Sequence, residues 1–142
     1  MKVSDIMNDS VVSISEDESV ALASRLLSRH NVGSLPVCDG SGALRGMVTD
    51  RDIVLRCVAT DRSPRETSVG EIMTRSLVTV NPGDDAGRAG ELMGSAQVRR
   101  LPVTEGGRLV GIVSLGDMAK VALLNDESGR ALTQISENLR MR

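Results

Sequence analysis

Val3-Ser4-Asp5-Ile6-Met7 returns later in the chain as Val69-Gly70-Glu71-Ile72-Met73, an offset of 66 residues. At that offset Ser10-Val11-Val12-Ser13-Ile14 meets Ser76-Leu77-Val78-Thr79-Val80, and Val32-Gly33-Ser34-Leu35-Pro36-Val37 meets Val98-Arg99-Arg100-Leu101-Pro102-Val103. After one deleted residue, Leu44-Arg45-Gly46-Met47-Val48-Thr49 meets Leu109-Val110-Gly111-Ile112-Val113-Ser114, and Asp52 falls on Asp117. A match sustained over half the chain with a single gap marks a duplicated unit, and duplication decides the architecture before any single residue is weighed.

Each copy carries the same succession of signals. A short helical turn (Val3–Met7; Val69–Met73) precedes a strand at Val11–Ile14 or Leu77–Val80. A helix follows, with apolar positions Val20, Ala23 and Leu27, or Ala86, Ala89, Met93 and Ala96, at helical spacing. A Leu-Pro-Val strand comes next, its proline suited to a strand start or edge. Asp39-Gly40-Ser41-Gly42 and Glu105-Gly106-Gly107 then turn the chain into a third strand, Leu44–Val48 or Leu109–Val113. A closing helix lies at Asp50–Ala59 or Leu115–Leu123. The expectation is an α/β (α+β) fold of two tandem β-α-β-β-α repeats, residues 1–60 and 69–124, joined by a polar linker at 61–68. A three-stranded sheet cannot cover both its faces alone. The repeats are therefore expected to pack sheet to sheet about a pseudo-twofold axis with a cleft between them, and one repeat alone is expected not to fold. Beyond them, Leu132, Ile135 and Leu139 recur as one face of an amphipathic helix within the tail 125–142.

Composition limits the chemistry. The 142 residues include no Phe, Tyr or Trp, so Val, Leu, Ile, Ala and seven Met must fill the core, and a ligand base would stack on aliphatic surface. A net charge of −2 without a Lys/Arg cluster gives no footprint for nucleic acid. No apolar run reaches membrane length and no signal segment opens the chain, which points to the cytoplasm. Cys38 and Cys57 show no metal spacing and read as free thiols. His30 is the only histidine, which leaves no triad, and there is no P-loop, dinucleotide-binding glycine pattern or metal cluster. No catalytic residue and no metal ligand is expected.

The motifs that carry chemistry are Gly46-Met47-Val48-Thr49-Asp50-Arg51-Asp52 and Gly111-Ile112-Val113-Ser114-Leu115-Gly116-Asp117, each at a strand-to-helix junction. Helix-start N–H groups favour anions. A hydroxyl there can bond phosphate or sugar oxygens, and a carboxylate three residues on can accept ribose hydroxyls. The same spacing is also that of a capping box, which only satisfies the first turn. Arg99-Arg100 precede the second Leu-Pro-Val strand where the first repeat has Gly33-Ser34, and a guanidinium can grip phosphate with two parallel bonds. Arg51 offers a cation inside the first motif.

The order of elements, with Asp-Ile-Met, Leu-Pro-Val and the Gly-x-x-[Thr/Ser]-x-x-Asp motif, resembles the cystathionine-β-synthase (CBS) domain family, over roughly residues 1–124. A tandem pair looks like a Bateman module. The run Thr49-Asp50-Arg51-Asp52-Ile53-Val54 is similar to stand-alone bacterial CBS-pair proteins of stress or hypoxic response, and the Gly111–Asp117 run to a nucleotide-binding repeat of the AMP-activated kinase γ subunit. The resemblance implies a regulatory ligand, an adenine nucleotide such as AMP, ADP or ATP. It would be held by Thr49 and Asp52 at one site and by Ser114 and Asp117 at the other, with Arg100 on phosphate. It also implies apolar walls of Met73, Val78 and Val32 at the first site and of Met7, Val12 and Val98 at the second. A homodimer and a separate effector protein follow from the family. The alternatives are a ligand-free protein-interaction dimer, or a binder of another adenosyl compound such as S-adenosylmethionine.

Overall fold

A computed structural model describes residues 1–123, so the tail helix expected at 125–142 lies outside the described residues. The fold is α+β, and the chain divides into two compact units that cut across the repeat boundaries. One unit is continuous, Val12–Leu77; the other joins Met1–Val11 to the chain from Val78 onward.

In the continuous unit β1 (Ile14–Ser15), α1 (Val20–His30), β2 (Ser34–Cys38), β3 (Leu44–Thr49), α2 (Asp50–Ile53) and α3 (Val69–Ile72) follow in order. Ser19 caps α1 by accepting from the Leu22 N–H at 3.1 Å, and Asn31 ends it in the left-handed region at φ 52°. The spacing Val20, Ala23, Leu27 turns one stripe inward, and all three are buried. The sheet order is β1-β2-β3, with β1 parallel to β2 and β3 antiparallel to it. Pro36 lies inside β2, not at its start, but pairing with β1 begins only at Val37, so the proline sits where β3 alone is alongside. The helix expected to run from Asp50 to Ala59 keeps α-geometry only to Ile53 and widens into a π-turn over Val54–Val58.

The segment 61–68, expected to be a plain linker, is hydrogen-bonded along its length. The first N–H groups of α1 have no partners within their own helix. Thr67 O accepts from Val20 N and Pro64 O from Ala21 N, both at 2.9 Å, and Thr67 is buried. Arg62 then bonds Glu71 on α3 at 2.6 Å.

The second unit contains a 3-10 turn at Val3–Asp5, α4 (Ala86–Ala96), β4 (Arg100–Glu105), β5 (Arg108–Ser114) and α5 (Leu115–Leu123). Ala89 and Met93 are buried, and Gly106 and Gly107 close the β4–β5 hairpin at φ 60° and 79°, values only glycine adopts freely. The strand expected at Leu77–Val80 reduces to one parallel bridge, Val80 with Val103. Pro82 follows closely and cannot donate to a ladder, and Ser76, Val78 and Thr79 are exposed.

The duplication shows most clearly in what each repeat lends. The backbone of Asn8 bridges Ile112 of β5, and at the matching place Thr74 bridges Met47 of β3. Each unit thus takes the segment after the opening turn from one repeat and its main hairpin from the other.

Candidate functional site

The two motifs form matched helix starts. In the first, the Asp52 N–H donates to Thr49 Oγ1 at 2.9 Å while the Thr49 N–H donates to Asp52 Oδ2 at 3.1 Å. In the second, the Asp117 N–H donates to Ser114 Oγ at 3.0 Å and the Ser114 N–H to Asp117 Oδ2 at 3.2 Å. Both are capping boxes, so the hydroxyl and carboxylate serve the first turn of their own helix. Each group keeps further acceptor positions, and capping does not exhaust it.

The helix-start amides differ between the motifs. Asp50 N donates to Gly33 O at 3.0 Å, Arg51 N to the Asp50 carboxylate at 2.8 Å, and Asp52 N to Thr49. All three leading N–H groups of α2 are thereby engaged within the chain. In the second motif Leu115 N donates to Arg99 O at 2.8 Å, the counterpart of the Asp50 bond. Leu115, however, stands where Asp50 does and has no side-chain oxygen to offer the Gly116 N–H.

The carboxylates differ as well. Asp52 is 7% exposed and accepts from Thr74 Oγ1 at 3.3 Å on both oxygens. Arg56 Nη1 lies 3.5 Å from Asp52 Oδ1, and the same nitrogen bonds the carbonyls of Ile72 at 3.0 Å and Met73 at 3.3 Å. Asp117 is half-buried. At the places of Arg56 and Thr74, the unit that holds Asp117 has Val121 and Asn8.

Arg100, the first residue of β4, lies in register with Ser114, the last of β5, as Ser34 lies in register with Thr49. The structure thus brings Arg100, Ser114 and Asp117 together in one unit, with Arg99 exposed just before them. Met7 and Val98 belong to this unit too: Met7 packs half-buried on its core and Val98 is exposed. The other unit holds Thr49, Arg51 and Asp52, with Arg51 exposed, Met73 in the core and Val32 half-buried against it. Val12 packs half-buried on that same core, and Val78 is exposed beyond its end.

The motif glycines have a packing reason that the spacing does not reveal. A Cβ on Gly46 would meet Thr74 O at 2.7 Å and Met73 Sδ at 2.8 Å, and one on Gly111 would meet Met7 Sδ at 2.8 Å and Asn8 O at 3.0 Å. Each glycine admits the methionine and the crossing backbone bridge. Arg56 and Thr74, absent from the motif, were legible only by running the repeat alignment one turn further.

With this geometry in place, comparison with known proteins is direct. The CBS-domain family model matches twice, at residues 3–58 and 69–124. The chain belongs to the CBS-domain family. This CBS pair is 43% identical to the CBS domain-containing protein YhcV of Bacillus subtilis over 134 residues, 94% of each chain. It resembles the crystal structure of Hypoxic Response Protein I with two coordinated zinc ions, at 35% identity and a TM-score of 0.78, over 84% of this chain and 97% of that one. It also resembles the CBS domain pair of protein MJ0100 in complex with 5′-methylthioadenosine and S-adenosyl-L-methionine. There the identity is 27% and the TM-score 0.75, over 86% of this chain and 99% of that one. CBS pairs of this kind are regulatory modules. Among the described residues, no helix is long and apolar enough to cross a membrane, and no three His, Cys, Asp or Glu side chains gather as metal ligands.

Proposed function

We propose that this CBS pair is a non-catalytic cytoplasmic sensor that binds an adenosyl ligand at the site built on Ser114, Asp117 and Arg100, and signals to a separate effector protein. The observation that carries this reading is the register pairing of Arg100 with Ser114, with Asp117 in the first turn of α5. That arrangement puts a cation, a hydroxyl and a carboxylate at one helix start, matching the phosphate, sugar oxygens and ribose hydroxyls of an adenine nucleotide. The adenosyl compounds held by the MJ0100 pair support the ligand class. S-adenosylmethionine and 5′-methylthioadenosine therefore join AMP, ADP and ATP as candidates.

Calorimetric titration against those five compounds tests the proposal. Asp117→Ala is expected to weaken binding by about 1.5–3 kcal/mol, the range for hydrogen bonds to a charged group. Because Asp117 also caps α5, Arg100→Ser, which installs the first repeat's residue, separates lost contact from lost cap. No heat with any compound overturns the reading.

A ligand-independent role as a homodimer is favoured by a separate feature. Val54, Leu55 and Val58 are exposed at 55%, 47% and 56% on the π-turn after α2, an apolar stripe suited to a second copy of the chain.

A further inference from the structure

We infer that the exposed apolar stripe after α2 receives the same stripe of a second copy of this chain in antiparallel register, with Arg51 of each copy set against Asp61 of the other. This deepens the homodimer reading above and rests on it.

Burial sets the face. Ile53 and Cys57 turn into the core, whereas Val54, Leu55 and Val58 are exposed. The stripe belongs to the first repeat alone, because the aligned residues of the second are Ala119, Lys120 and Leu123, and the lysine interrupts it. Its two ends carry opposite charges. Arg51 is exposed before it and Asp61 after it, and among the described residues neither is in an ion pair. The Asp61 N–H donates to Val58 O at 3.1 Å and the Arg62 N–H to Cys57 O at 3.0 Å, with Asp61 left-handed at φ 59°. These two bonds close the helix and keep Asp61 beside its last turn.

A twofold pairing uses the same patch on both copies, so the patch has to complement itself. Arg51 and Asp61 stand five residues to either side of Arg56, and Val54 and Val58 two to either side. Antiparallel pairing about that midpoint lays Val54 on the partner's Val58 and brings the two copies of Leu55 together near the axis. It also sets Arg51 against the partner's Asp61 at both ends. Parallel pairing keeps an apolar seam but sets Arg51 against Arg51 and Asp61 against Asp61, and like charges across an interface oppose it. Arg56 leaves the midpoint clear. It is held within its own chain, with Nη1 3.5 Å from Asp52 Oδ1 and bonded to the carbonyls of Ile72 and Met73.

Sedimentation equilibrium at low salt reads the dissociation constant of the full chain, of Arg51→Glu, of Asp61→Lys and of the double variant. Each single reversal puts two like-charge pairs into the interface and is expected to weaken the dimer about tenfold, while the double variant re-forms both pairs and returns close to the native value. Melting curves confirm that each variant is folded. Cysteine cross-linking keeps the test open if Asp61→Lys does not fold. Leu55→Cys lies near the axis and is expected to give a disulfide-linked dimer in air. Arg51→Cys lies about 15 Å along the helix from its own copy and is expected to give none. Cys38 and Cys57 are buried, so the native chain supplies the background. A native chain that is monomeric at micromolar concentration overturns the homodimer reading and this inference with it. A native dimer whose double variant is no tighter than the singles overturns the register and leaves the homodimer standing. So does one in which Arg51→Cys links to itself or Leu55→Cys does not.

Discussion

Met73 Sδ stands 2.8 Å from the point a Cβ on Gly46 would occupy, with the Thr74 carbonyl as close on another side at 2.7 Å. The methionine could swing away, but the carbonyl is fixed by its bond from the Met47 N–H at 2.9 Å. Gly46→Ala is therefore expected to cost about 1–3 kcal/mol, as overpacking does. Urea denaturation reads this directly, and an unchanged midpoint would show that the bridge gives way freely.

Thr49 has a structural duty whatever binds nearby. Thr49→Ala removes the acceptor for the Asp52 N–H and is expected to cost about 0.5–2 kcal/mol, whereas Thr49→Ser keeps the cap and most of the stability. Equal midpoints for the alanine and serine variants would mean that the capping hydroxyl contributes nothing.

Glu71 links stability to acid. The Ser68 N–H, then Arg62, then the Ser68 hydroxyl hold its carboxyl below the ordinary carboxylate range. A carboxylate with a lowered folded-state pKa lends stability that is complete above its unfolded value and disappears as pH falls through the folded one. Melting temperature measured from neutral pH down to pH 3 should fall less steeply in Glu71→Gln than in the native chain. Parallel curves would remove Glu71 from the acid response.

Cys38 responds at the other end of the scale. Burial pushes its thiol up; a hydrogen bond from Ser13 opposes this in part, and the nearby Asp39 adds a smaller push upward. The folded chain holds this proton to higher pH than the unfolded chain, so stability declines as pH rises through the ordinary thiol range. Cys38→Ala should flatten the alkaline limb of the melting curve, and an unchanged limb would count against it.

The stripe of Val54, Leu55 and Val58 gives the dimer its test. Leu55→Glu alters an exposed side chain, so the fold should survive while the mass by light scattering at micromolar concentration falls from two chains to one. A native chain that is already monomeric would dispose of the interface.

Much of this was legible in the sequence because duplication doubles every signal. Val20, Ala23 and Leu27 and their counterparts Ala89 and Met93 gave the helices, and the turn glycines gave the hairpins. The capping boxes were legible because their bonds span three residues. What escaped were effects of distant pairing. Nothing local says that Asn8 will lie against Ile112, or that Arg56 will reach the carbonyls of Ile72 and Met73. Leu77–Val80 has the alternation of a strand, but a ladder needs a partner, and only Val80 finds one.

The division of the chain into one continuous and one split unit also orders events in time. As the polypeptide is made, residues 12–77 complete their set of partners while the remainder is still being synthesised. Residues 1–11, made before them, must wait for Ile112 and its neighbours much later in the chain. Closing so long a loop is slow relative to local pairing. The Val3–Met7 segment therefore finds its place only after Ile112 and the strand around it have been made.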